Sequence, residues 1–161
     1  MKNTSKTATA TLEKLRECAT PGGLFKIERD GAMMPLWVER LEELTWPSGL
    51  HLEVWSIAHH YIQEGDVMRD PEVVFLRVLN LTGPPQWFPI EFRQDPYIRQ
   101  ELATLRRDLL PESYTPKAQR DCATFVTTWC KNLEHQHGAI LNAEGQELTA
   151  ENLQLFFGQL A

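Results

Sequence analysis

Between positions 59 and 72 the chain carries His59, Tyr61, Asp66, Asp70 and Glu72, an imidazole, a phenol and three carboxylates close together in sequence. Imidazole nitrogen and carboxylate oxygen are the donors that borderline and hard divalent cations accept, so a cation site is one chemistry open to these residues. Histidine and tyrosine at the end of a strand also suit proton transfer. No serine or cysteine nucleophile is set beside them by a recognisable motif, and the chain holds no HExxH helix, nucleophile elbow or phosphate-cradling glycine loop. Aspartates in a turn commonly hold backbone amides, and Asp70-Pro71 reads as a turn that starts a strand. The structural role therefore takes precedence for Asp66 and Asp70.

Other chemistry-bearing residues are weaker candidates. Cys130, His135 and His137 stand near a predicted helix end but lack the paired spacing of a zinc site. Arg99, Arg106 and Arg107 alternate with Glu101 and Asp108, which fits a solvated face better than a phosphate-binding one. Trp46 and Trp87 flank Pro/Gly-rich turns and are candidate interface anchors, whereas Trp37, Trp55 and Trp129 sit in apolar patterns.

These residues need elements to position them. Leu12, Leu15 and Ala19 recur at helical spacing before Pro21-Gly22-Gly23, which predicts a short helix over 11–19 behind a flexible tail over 1–10. Extended runs follow at 24–28, 36–44, from about Leu50, at 72–81 and at 86–94, separated by turn residues. In the third run Leu50, Leu52, Val54, Ser56 and Ala58 form the expected core face. His51, Glu53, Trp55, Ile57, His59 and Tyr61 form the other, with His60 directed toward the Ala58 side. The fourth run is apolar on both faces except at Arg77, as suits a central strand, and Pro89 favours an edge position for the fifth.

Beyond Gln94 the pattern turns helical. Asp95-Pro96 predicts a helix start ahead of an Ile98, Leu102, Leu105, Leu109 stripe, and Thr115-Pro116 opens a longer one carrying Cys122, Phe125, Val126, Trp129, Cys130 and Leu133 to about Gly138. Thr149 caps a last predicted helix with Leu153, Phe156, Phe157 and Leu160. The expected fold is α+β: a meandering antiparallel sheet of about five strands packed against C-terminal helices, with a short N-terminal helix, as one domain over 11–161.

Composition bounds the function. The chain of 161 residues is 42% hydrophobic and 24% charged, ordinary for a globular domain. A net charge of -6 disfavours a broad nucleic-acid surface. Cys18, Cys122 and Cys130 cannot all pair, and on one helix Cys122 and Cys130 would stand about 12 Å apart, beyond disulfide reach. Reduced thiols in the cytoplasm are expected, with no secretory signal and no membrane span.

His59-His60-Tyr61, Gly65-Asp66-Val67-Met68, Asp70-Pro71-Glu72 and Phe75 resemble the pattern of an uncharacterised bacterial domain family, Ala-His-Tyr-Tyr, Asn-Gly-Asp-Leu-Met and Asp-Pro-Glu-Met followed by an aromatic. Pro89 and Phe92-Arg93-Gln94-Asp95 resemble its second block, so the resemblance spans about Leu36 to Leu102 and leaves the C-terminal helices outside. Glu64 stands where that family tends to have asparagine. The resemblance implies a protein of plasmids, phages or integrated conjugative elements and assigns no activity.

The expectation is thus a noncatalytic accessory or protein-interaction domain of a bacterial mobile genetic element, whose loop from Gln63 to Pro71 shapes a contact surface. It implies a protein partner, no membrane, no cofactor and no resident metal; oligomeric state is left open. The alternative is a metal-dependent hydrolase acting on a phosphate-containing substrate through His59, Asp66, Asp70 and Glu72.

Overall fold

The computed structural model describes residues 1–27 and 34–141, with side chains as far as His137. Two helices and eight strands follow in the order α1 (Lys6–Ala19), β1 (Leu24–Ile27), β2 (Leu36–Thr45), β3 (His51–Gln63), β4 (Asp66–Leu79), β5 (Gln86–Gln94), β6 (Ile98–Glu101), β7 (Ala103–Leu105), β8 (Pro111–Tyr114) and α2 (Pro116–Leu141). Strands β1 to β6 form one antiparallel sheet in sequence order, and β7 pairs with β8 in a separate hairpin. The architecture is α+β, as the sequence predicts, with a sixth strand in the main sheet.

Helix α1 starts well before Thr11. The Ser5 side chain accepts the Ala8 amide at 3.2 Å, a local cap that satisfies one of the free N–H groups at the helix start. The Thr4 amide donates to the Trp87 carbonyl at 2.8 Å and the Lys2 amide to Gln119 Oε1 at 2.7 Å, so the tail expected over 1–10 is instead tied to the sheet and to α2.

The segment expected as a helix from Asp95 is also different: it forms β6, β7 and the turn leading to β8. Asp95 does not cap a helix; one carboxylate oxygen accepts the Arg69 amide at 2.9 Å and the other accepts Arg93 Nε at 2.6 Å. The apolar residues that mimic a helical stripe serve opposite sides of the sheet, since Leu102 packs in the helix-side core and Leu109 in the other. The predicted helix beginning after Thr115 is present as α2, while the one carrying Leu153 to Leu160 lies outside the described residues.

Each face of the sheet has its own core. Helices α1 and α2 cover one face, where Leu12, Leu15, Trp55, Ile57, Phe75, Trp87, Val126 and Leu133 are buried together. The β7–β8 hairpin covers part of the opposite face over Leu52, Val54, Val74 and Leu76. The face of β3 first expected to be the core is therefore the smaller one. The Trp55–Ile57 face packs under the helices and forms the larger core.

A bulge shapes the sheet at the end where the candidate residues lie. Pairing jumps from Ala58↔Glu72 to His60↔Arg69, leaving His59 opposite Asp70 and Pro71 outside the regular ladder. Beyond the bulge β3 and β4 continue as a two-stranded ribbon to a Glu64-Gly65 turn, both residues with positive φ (51° and 87°), the geometry a tight hairpin requires. Asp66, Asp70 and Pro71 thus belong to strand β4, where a loop was expected.

Candidate functional site

Side chains alternate across β3, and the alternation assigns the candidate residues to different surroundings. His59 turns toward the helices, where its ring meets Trp129 edge-on at 6.1 Å between centroids and stands 5.9 Å from the His137 ring. It is buried, and its Nε2 has no hydrogen-bond partner among the described residues. Burial first, then the neighbouring His137, push its pKa down to about 4, against an opposing pull from Asp70. The imidazole is neutral at pH 7. His137 interrupts α2 with a non-helical backbone (φ -124°, ψ 18°), which sets the turn that brings its ring there.

The carboxylates are occupied elsewhere. Glu72 Oε2 accepts Ser56 Oγ at 2.8 Å and faces Arg69 Nε at 3.4 Å. Asp70 Oδ1 accepts the Gln94 amide nitrogen at 2.7 Å, and Asp66 is exposed at the base of the hairpin turn opposite Gln63. Tyr61 is half-buried and pairs in register with Met68. The structure therefore does not bring His59, Asp66, Asp70 and Glu72 together as ligands of one cation. The second suspected set is also dispersed: His135 is exposed, while Cys130 and His137 are buried. Burial, then Glu134, push the Cys130 thiol up to about 12.

Trp87 is a core residue and not an interface anchor. It is fully buried, meets Phe75 edge-on, and donates its indole N–H to Glu13 Oε1 at 2.8 Å. Trp46 is half-buried against the smaller core.

A polar constellation that the sequence reading missed lies under α1. Glu53, buried near the start of β3, receives Arg16 Nε at 2.7 Å, Arg77 Nη1 at 3.1 Å and the Trp55 indole at 3.0 Å. Glu13 receives Arg77 Nε at 2.6 Å. Burial would raise the pKa of Glu53, but the Arg16 and Trp55 hydrogen bonds and the two guanidinium charges outweigh it and hold the carboxyl down at about 2. A signal existed: Glu53 and Arg77 are the charges interrupting two apolar strands, and antiparallel register places them directly opposite one another.

Among the described residues, Glu43, His51 and Glu53 are the one group of three or more ligand-type side chains with donor atoms within 4.8 Å of each other. Arg16 and Arg77 already hold Glu53, and Arg40 Nη1 lies 3.2 Å from Glu43. A cation there would sit against three guanidinium groups, so the cluster is a charge-balanced tie and not a built metal centre.

On the open face, beyond the reach of the β7–β8 hairpin, the side chains are of another kind. His60 stacks on Trp37 with ring centroids 5.4 Å apart, and Lys26 Nζ lies 5.0 Å from the Trp37 ring centre. Ile62 and Val67 stand directly opposite each other on the ribbon, 67% and 51% exposed. With Pro35 they border a groove of about 330 Å³ in which Lys26 is the lone formal charge. This surface can hold an apolar side chain or two against an aromatic floor.

The model of a domain of unknown function, DUF6908, matches residues 6–139. The chain belongs to the DUF6908 family. The match takes in α1 and nearly all of α2, so the DUF6908 domain extends well beyond the stretch from Leu36 to Leu102 on which the resemblance was read. No curated protein and no solved structure matches the chain. No helix among the described residues of this DUF6908 member is long and apolar enough to cross a membrane.

Proposed function

We propose that this DUF6908 domain is a noncatalytic accessory domain of a bacterial mobile genetic element, acting in the cytoplasm and presenting the β3–β4 ribbon to a protein partner. One observation carries the reading: Ile62 and Val67, paired across the ribbon, stay mostly exposed beside the Trp37–His60 groove. Two adjacent exposed aliphatic side chains on a hairpin cost free energy in water and gain it under a partner's surface. The bulge at His59 and the Glu64-Gly65 turn fix the ribbon's direction and hold these side chains on the open face. The Gly-Asp and Asp-Pro-Glu steps fall in this same ribbon, and the mobile-element assignment rests on the sequence resemblance that they carry.

The test is capture of partners from the native host with the wild-type chain and with the Ile62→Asp/Val67→Asp variant, followed by titration of the captured partner with both. The variant is expected to keep the wild-type circular dichroism spectrum and melting temperature, because both side chains are exposed, and to bind at least tenfold more weakly. Equal binding by a folded variant would remove the ribbon from the contact.

A further inference from the structure

We propose that the outer edge of β6 pairs with the same edge of a second copy of this chain, joining two chains in a symmetric dimer through one antiparallel ladder centred on Gln100. The proposal stands on the β6 edge alone and does not depend on the role of the β3–β4 ribbon.

The backbone supplies the first support. Strand β6 ends the six-stranded sheet, and all its residues are exposed. Among the described residues it pairs on one side only, with β5, in the register Gln94↔Ile98, Arg93↔Arg99, Phe92↔Gln100 and Glu91↔Glu101. One step further along that register the Leu102 amide donates to the Ile90 carbonyl at 2.9 Å. Antiparallel alternation then turns the backbone groups of Ile98 and Gln100 toward β5 and points those of Arg99 and Glu101 away from the sheet. No described backbone group pairs with them there. A second β6 centred on Gln100 sets Arg99 of each copy opposite Glu101 of the other, in the pairs that exchange both N–H···O bonds. Every outward backbone group of these two residues is then satisfied. The ladder stops at Leu102, whose carbonyl already accepts the Thr115 amide at 2.9 Å, so the dimer is reversible and depends on concentration.

Charge supplies the second support. Within one chain Arg93 stands directly opposite Arg99 and Glu91 directly opposite Glu101, like against like. A diagonal contact from Arg99 Nε to Glu91 Oε1 at 3.1 Å offsets part of this, and the Arg99 side chain remains 72% exposed. In the symmetric ladder Arg99 gains Glu101 of the second copy directly across, and Glu101 gains Arg99. A slip of two residues either way would set Arg99 against Arg99 or Glu101 against Glu101, so the charges select the same register that the backbone requires. Edge strands that avoid other chains carry lysine, proline or a bulge, and β6 has none of these. On the face toward α2, the exposed Ile98 falls at the rim of the cleft that Phe92, Gln100 and Phe125 of the second copy line.

Sedimentation velocity of the full chain, between about 10 and about 200 µM in about 50 mM salt, where surface charges are weakly screened, is expected to show a monomer–dimer equilibrium. Arg99→Glu and Glu101→Arg each place like charges across both pairs, so each alone should weaken the dimer by about tenfold or more. Mixing the two variants restores opposite charges across both pairs, and a heterodimer of about wild-type strength is expected. A wild-type chain that stays monomeric throughout overturns the proposal. So does a dimer that neither variant weakens, or a mixture that does not recover. Should a charge-reversed chain fail to fold, amide hydrogen exchange of the wild type decides. The Arg99 and Glu101 amides are expected to slow by about tenfold from the lowest to the highest concentration, while the Gln100 amide, already turned toward Phe92, keeps its rate. Exchange at Arg99 and Glu101 that ignores concentration overturns the edge pairing.

Discussion

Glu64 holds a φ of 51° at the tip of the β3–β4 ribbon, a backbone region that asparagine and glycine occupy far more readily than glutamate. Glu64→Asn should therefore stabilise the fold by about 1 kcal/mol, seen as a higher urea midpoint at unchanged slope. His59 makes a second prediction at this scale. Its folded pKa, about 4, lies below the ordinary value of 6.5, so the unfolded chain binds the proton more readily between those limits. Stability from the neutral buried ring is complete above pH 6.5 and falls as pH drops toward 4, by on the order of 3 kcal/mol. His59→Phe should flatten urea midpoints measured between pH 6.5 and 4.5; an unchanged slope would assign the acid sensitivity to other groups.

At the scale of elements, α1 is fastened to the sheet by apolar packing and by the Glu13, Arg16, Glu53, Arg77 tie. Removing one member strands buried charge, so Glu53→Gln should cost about 3–5 kcal/mol, measured by urea unfolding at pH 7. The sign with pH is the same as for His59, in a lower window. Glu53 titrates below its ordinary value of 4.5, so its contribution is full above that pH and is lost as pH falls toward about 2. Strand β5, predicted over 86–94, occupies those residues, because its alternation of Phe88, Ile90 and Phe92 is bounded by turn residues on both sides. The segment after it misled for a reason visible at Asp95. A carboxylate before a proline is a helix cap only if helix amides are its nearest donors, and here the Arg69 amide of a distant strand is closer.

Across the whole molecule the two faces of the sheet are unequal. Helices seal one, and the β7–β8 hairpin covers only part of the other. The part that no described residue covers is where the exposed ribbon and the Trp37–His60 groove lie, which is why Ile62→Asp/Val67→Asp should leave stability intact while weakening partner binding. The same charges at core positions such as Ile57 or Val73 would unfold the chain, since nothing there could solvate them.

By itself the sequence determined the local order: period-two runs for the strands, a 3.6 period for α2, the bend between β3 and β4, and the concentration of titratable residues around it. Those features depend on neighbours along the chain, and neighbours are what a sequence displays. Tertiary structure alone decided which face of β3 lies under the helices, that Leu102 and Leu109 belong to opposite cores, and that His59 turns inward while Glu72 reaches Ser56. A bulge at His59 and a carboxylate accepting from Arg69 depend on pairing partners far away in sequence, and only the folded chain brings those partners within reach.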